Sequence, residues 1–89
     1  MSGYTVKLLD AALRDLARLD KTIARRVLKR LEWFSAHLTE LTPESLVGDW
    51  AGFYKLRVGD YRVLYEILDS ERVIVLHIIA HRRDVYRAR

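Results

Sequence analysis

The stretch Phe53-Tyr54-Lys55-Leu56-Arg57-Val58-Gly59-Asp60-Tyr61-Arg62-Val63-Leu64-Tyr65 decides how this 89-residue chain folds. Apolar and cationic residues alternate on both sides of Gly59-Asp60, which reads as a tight β-hairpin. Gly59 supplies the positive φ that a two-residue primed turn requires. With Gly59-Asp60 as the loop, Val58 faces Tyr61, Arg57 faces Arg62, Leu56 faces Val63, Lys55 faces Leu64 and Tyr54 faces Tyr65. Residues directly opposite share a face of the sheet. Tyr54, Leu56, Val58, Tyr61, Val63, Tyr65 and Ile67 therefore form a core face, while Lys55, Arg57, Arg62, Leu64 and Glu66 take the other. A slip of one residue would drive three cations into the core, so the register is strongly specified.

Downstream, Asp69-Ser70-Glu71-Arg72 makes a second turn, and a further strand over about 73–80 returns alongside. Its alternation places Ile74, Leu76 and Ile78 on the core face, and Val73, Val75, His77 and Ile79 on the opposite one. Upstream, residues 39–52 hold the only proline, Pro43, with Gly48 and Gly52, and read as a connecting loop in which Trp50 lids the core edge. Two helices precede it. Asp10 is the expected N-cap of a short helix from Ala11 to about Leu19, with Ala12, Leu13, Leu16 and Ala17 at helical spacing. Asp20 caps a longer one running to about His37, whose apolar stripe is Ile23, Ala24, Val27, Leu28, Leu31, Phe34 and Leu38. Tyr4 to Leu8 forms a first strand. The expected class is α+β: an N-terminal strand and two helices packed on one face of an antiparallel β-sheet, in a single domain over residues 1–89, with the other face open to solvent.

Composition narrows the function classes. The net charge is +4, and arginine supplies 12 of the 16 basic residues. Its planar fork suits phosphate better than lysine's point charge. No apolar run approaches the ~20 residues that span a bilayer, and the N-terminus lacks the order of a signal peptide, so a soluble cytoplasmic protein without membrane contact is expected. The absence of cysteine rules out disulfides and thiolate metal sites. No spacing matches a metal site, a serine triad or a phosphate-cradling glycine loop, so no metal and no cofactor are expected.

The non-core face carries the chemical signal. Arg57 opposite Arg62 is unfavourable, since like charges across a ladder repel, and the pattern places no carboxylate beside them; a bound anion would relieve the repulsion. The last strand should end at the Gly59-Asp60 turn, delivering His81, Arg82, Arg83 and Tyr86 close to Arg62. A solvated sheet face with a basic tail explains the same residues as well as a phosphate site does. His77, alone between apolar neighbours, reads as packed.

The hairpin segment Tyr54 to Tyr65, followed by Ile79-Ala80-His81-Arg82-Arg83-Asp84-Val85-Tyr86-Arg87, resembles the RelE branch of the RelE/ParE toxin superfamily over essentially the whole chain. The resemblance implies the toxin of a type II toxin–antitoxin pair, a ribosome-dependent endoribonuclease that cuts mRNA in the A site and inhibits translation. Attack by a ribose 2′-OH on the adjacent phosphate leaves a cyclic phosphate and a free 5′-OH, with no metal. By position, Lys55 would be general base or phosphate neutraliser, Arg62 and Arg82 would stabilise the phosphate in the transition state, and Tyr86 would stack on a base or act as acid. Arg57, His81, Arg83 and Arg87 would bind RNA. Some relatives carry a second lysine where this chain has Phe53, which leaves the base open. The implied partners are a cognate antitoxin protein, the ribosome and mRNA. The alternative is a ParE-like protein that poisons DNA gyrase without nuclease chemistry; a non-toxic nucleic-acid-binding module is a third reading.

Overall fold

The longer helix shows how local chemistry and packing cooperate in this fold. In the computed structural model, which describes residues 3–86, the Asp20 carboxylate accepts a 3.1 Å hydrogen bond from the Thr22 N–H and caps α2 (Lys21–His37). Val27, Leu31 and Phe34 are buried along its inner face, and Leu38 follows in a 3-10 turn. Leu28 leaves the expected stripe: it lies 47% exposed, as Leu13 does at 50%. The stripe is narrower than seven positions because only one side of each helix meets the sheet. Asp10 is the first residue of α1 (Asp10–Arg18) and not its cap; Leu9 holds that position without a side-chain bond. An acidic first turn still complements the helix dipole.

The sheet has five strands in the order β1 (Thr5–Leu8), β5 (Val73–His81), β4 (Tyr61–Leu68), β3 (Tyr54–Val58) and β2 (Glu44–Ser45). β1 runs parallel to β5, and the other pairs are antiparallel. The β3–β4 register is the one expected from the alternation, Val58 opposite Tyr61 through Tyr54 opposite Tyr65. Gly59 takes φ +60 at the turn, and a Cβ there would lie 3.0 Å from the Arg26 guanidinium of α2.

Three expectations change. Residues 39–52 are not only loop: Glu44 and Ser45 pair with Lys55 and Tyr54 as an edge strand. A β-bulge shifts the β4–β5 register, so that Leu64 pairs with Ile78 but Tyr65 pairs with Leu76, leaving His77 as the extra residue. The bulge reverses the face of everything beyond it: Ile79 joins the helix-side core, and Ile78 turns to the other face. Finally, that other face is not simply open. Leu64, Ile78 and Val85 form a second buried cluster, covered by Leu46, Trp50 and Ala80. The main core lies between helices and sheet, around Val27, Leu31, Phe34, Val63, Tyr65, Ile74 and Leu76. Where β1 stops at Leu8, α1 takes over the edge of β5, and the Asp15 carboxylate accepts the Ile79 N–H at 3.0 Å. Among the described residues, no helix is long and apolar enough to cross a membrane.

Candidate nucleic-acid interface

Two strand ends and one turn build the cationic end of the sheet. Tyr61 pairs with His81 and Arg62 with Ala80. The ladder continues one step further through the Arg82 N–H, which donates to the Asp60 carbonyl at 2.8 Å. Arg62 and Arg82 are thereby fixed beside one turn. Beyond the bulge Ala80 lies on the face of Arg62, and the ladder step through the Arg82 N–H continues that alternation to Arg82. His81 lies edge-on to Tyr61, with ring centroids 5.5 Å apart, and its Nδ1 accepts the Arg83 N–H at 3.2 Å.

Each arginine is held by weak partners. Arg62 Nη1 donates to the carbonyls of Gly59 at 2.8 Å and Tyr61 at 2.9 Å. Arg82 Nε lies 3.9 Å from the Asp60 carboxylate, with both side chains well exposed. On Arg62 a phosphate would replace neutral acceptors with an anionic one, and charge-assisted bonds are roughly twice as strong.

Lys55 sits opposite Leu64, two residues along β4 from Arg62, or about 7 Å at strand spacing. Its surroundings correct the sequence reading. Glu44, on the unexpected edge strand, places its carboxylate 3.2 Å from Lys55 Nζ and 3.2 Å from Arg57 Nη2. The Arg57–Arg62 juxtaposition is therefore relieved internally: Glu44 takes Arg57, and Arg62 bends back onto its own turn. Hydrogen bonding to Lys55, and then to Arg57, holds the Glu44 carboxyl below its ordinary range. Glu44 escaped the sequence reading because a two-residue strand has no periodicity to detect; Pro43 just before it, a residue tolerated at strand starts and sheet edges, was the available signal.

The tail is anchored by Val85, fully buried against Leu64 and Ile78, while Asp84 and Val85 donate backbone bonds to the His81 carbonyl at 2.8 and 3.1 Å. Tyr86 follows, 45% exposed. Arg87 lies outside the described residues. Phe53 packs edge-on against Trp50 and His77, with centroids 5.4 and 4.7 Å away. His77 is packed as expected, its Nε2 donating to Glu66 at 2.8 Å.

Glu44 occupies Lys55 and Arg57 with a carboxylate, so any phosphate at these two cations would have to displace it. Glu44→Gln is expected to tighten binding to a short single-stranded RNA several-fold and to steepen its salt dependence, since two cations are released to contact phosphate. A filter-binding titration at several salt concentrations reads both; unchanged affinity would show that the pair does not compete.

Comparison with known proteins reaches the same fold. The family model described as the ParE toxin of the type II toxin–antitoxin system parDE matches residues 6–85. The chain belongs to the RelE/ParE family of type II toxins. It is similar to toxin RelG of Mycobacterium tuberculosis, 32% identical over 84 residues that cover 94% of this chain and 97% of that one. Toxin RelE of the same organism is 35% identical over 85 residues, covering 94% and 87%. Among solved structures, the RelBE2 toxin–antitoxin complex of M. tuberculosis superposes with a TM-score of 0.80 at 30% identity, covering 89% of this chain and 98% of that one. The α+β arrangement expected from the hairpin outward is that of the family.

Proposed function

We propose that this toxin cuts mRNA in the ribosomal A site by metal-independent attack of a ribose 2′-OH on the neighbouring phosphate. The observation that supports this reading is the convergence of Arg62 and Arg82 on the Gly59-Asp60 turn, with Lys55 two residues along the same sheet face. In the attack the 2′-OH gives its proton to solvent as the 2′ oxygen bonds to phosphorus, the bond to the 5′ oxygen breaks and that oxygen takes a proton from solvent, and negative charge grows on the equatorial phosphate oxygens meanwhile. Arg62 and Arg82 hold that charge, and preorganised cations aimed at developing charge are the largest single contribution in many enzymes. Lys55 acts as a phosphate neutraliser, released from Glu44 when substrate arrives. Tyr86 stacks on a base. Arg57, His81 and Arg83 bind neighbouring RNA.

A cognate antitoxin is the proposed protein partner, with Leu9, Leu13 and Leu28 on the outer helix faces, 41–50% exposed, as apolar surface for it. A second reading, gyrase inhibition without nuclease chemistry, draws on the ParE description of the matching family. Primer extension on a translated mRNA, with and without ribosomes, tests the first against the second. Cuts in codon register that require ribosomes are the expected result. Intact mRNA together with trapped gyrase–DNA complexes would replace the nuclease reading by the gyrase one.

A further inference from the structure

A second group of cations lies on the helix side of the hairpin, apart from Arg82. Arg26, Lys29 and Arg30 share one face of α2, at the i, i+3 and i+4 spacing that makes helical residues neighbours. All three are exposed. Like charges at that spacing destabilise a helix, and among the described residues neither Arg26 nor Lys29 makes an ion pair. Across from them run Arg57, Val58 and Gly59 of the hairpin. These two segments, with Trp33, enclose an open cleft of about 430 Å³, inside the ~300–1,000 Å³ range of small-ligand sites. No acidic residue lines it. The one carboxylate paired with any of its cations, among the described residues, is Glu44 on Arg57 at 3.2 Å, and Glu44 lines the neighbouring cleft.

The lining points to phosphate and not to a base. Trp33 carries the Arg30 guanidinium 5.1 Å from its ring centroid and stacks on His37 at 4.4 Å. Its indole is therefore engaged in holding a cation in place. The Arg26 guanidinium reaches over Gly59, where a Cβ would stand 3.0 Å from it. Arg62 bonds the carbonyl of the same glycine but belongs to the other face of the sheet, so the two cationic groups flank one turn without merging. Four cations around one small volume fit a ligand with several negative charges close together, as in a linear oligophosphate. An RNA strand carries one charge per nucleotide and would bring its bases against an indole that is already occupied.

We propose that the cleft between α2 and residues 57–59 is a site for a linear oligophosphate group, supplied either by an inorganic chain or by the phosphate tail of a nucleoside triphosphate. Arg26, Lys29 and Arg30 hold it, and Arg57 joins them by exchanging Glu44 for phosphate. The site does not depend on whether the protein cuts mRNA. Tripolyphosphate titrated into the intact chain in a calorimeter tests it, at about 0.15 M salt, where attraction between distant exposed charges is screened. Saturation at one equivalent is expected, about tenfold or more tighter than with inorganic phosphate, which engages fewer of the cations. The double variant Arg26→Gln, Lys29→Gln changes only exposed side chains and should weaken tripolyphosphate about tenfold or more, two charge-assisted bonds being lost. Arg62→Ala should leave its binding unchanged. The reverse pattern, loss in Arg62→Ala and retention in the α2 variant, would move the phosphate to the other face and overturn the proposal, as would heat that never saturates. ATP and adenosine separate the two sources. ATP binding tighter than tripolyphosphate assigns the site to nucleotides, and equal binding assigns it to the phosphate chain alone. Adenosine binding as well as ATP, or a short unphosphorylated RNA displacing tripolyphosphate from the wild-type chain but not binding the α2 variant, would sink the oligophosphate assignment.

Discussion

Arg62→Ala is expected to slow ribosome-dependent mRNA cleavage by about 10²–10³-fold, the usual cost of losing one preorganised charge-stabilising donor. The position leaves little room for compensation. Lys55 is tied to Glu44, and Arg82 approaches the turn through Asp60, so neither is placed to take over the bonds that Arg62 makes. The effect should fall on kcat more than on KM, because the guanidinium matters most when charge has grown on the phosphate. The Arg62 bonds to the Gly59 and Tyr61 carbonyls also brace the turn, and their loss should cost about 1 kcal/mol of stability. Single-turnover cleavage on programmed ribosomes, read beside a thermal melt, separates the two. A variant that cuts at the wild-type rate would remove Arg62 from the chemistry; a variant that unfolds would be replaced by Arg62→Lys, expected to keep the charge but lose most of the fork geometry and rate.

The second large effect concerns stability. Tyr65 is fully buried between Phe34, edge-on at 5.3 Å, and Tyr54, stacked at 5.7 Å. Tyr65→Ala is expected to cost about 3–5 kcal/mol, the range for emptying an aromatic core site. Tyr65→Phe should behave oppositely. Among the described residues the buried Tyr65 hydroxyl has no hydrogen-bond partner, so removing it should be neutral or stabilising by about 1 kcal/mol. Desolvation by burial, followed by the nearby Tyr54 and Glu44, pushes its phenol well above the ordinary tyrosine range. A raised folded-state pKa means that the neutral form is the one the fold favours. That contribution is complete below the ordinary tyrosine pKa of about 10 and is lost progressively as the pH climbs above it. Chemical denaturation between pH 8 and 11.5 should show wild-type stability falling in the alkaline limb and Tyr65→Phe falling less. Parallel limbs for the two proteins would assign the alkaline loss to other groups.

The register of the hairpin and the gathering of Lys55, Arg57 and Arg62 on one face were legible because a period of two, interrupted by a glycine that tolerates positive φ, admits one solution. Helix α2 was legible for a similar reason: a capping aspartate and a 3.6-residue stripe are both local signals. The width of that stripe was not, and Leu28 shows why. An apolar side chain at helical spacing reports that it could be buried, while exposure depends on which neighbour arrives.

Two features belonged to the tertiary structure alone. Alternation put Ile78 on the core face and Ile79 opposite, and the bulge at His77 exchanges them: Ile79 fills the helix-side core while Ile78 meets Leu64 and Val85 on the other side. The same choice carries Arg82 to the face of Arg62. Glu44 reached Lys55 and Arg57 through a strand only two residues long, formed because a neighbouring edge was available and not because its own residues demand it. Local sequence thus specified which cations share a face, since side-chain alternation is a property of each strand by itself. Which anions answer them followed from long-range pairing, where the free energy lies in contacts between segments that no local pattern records.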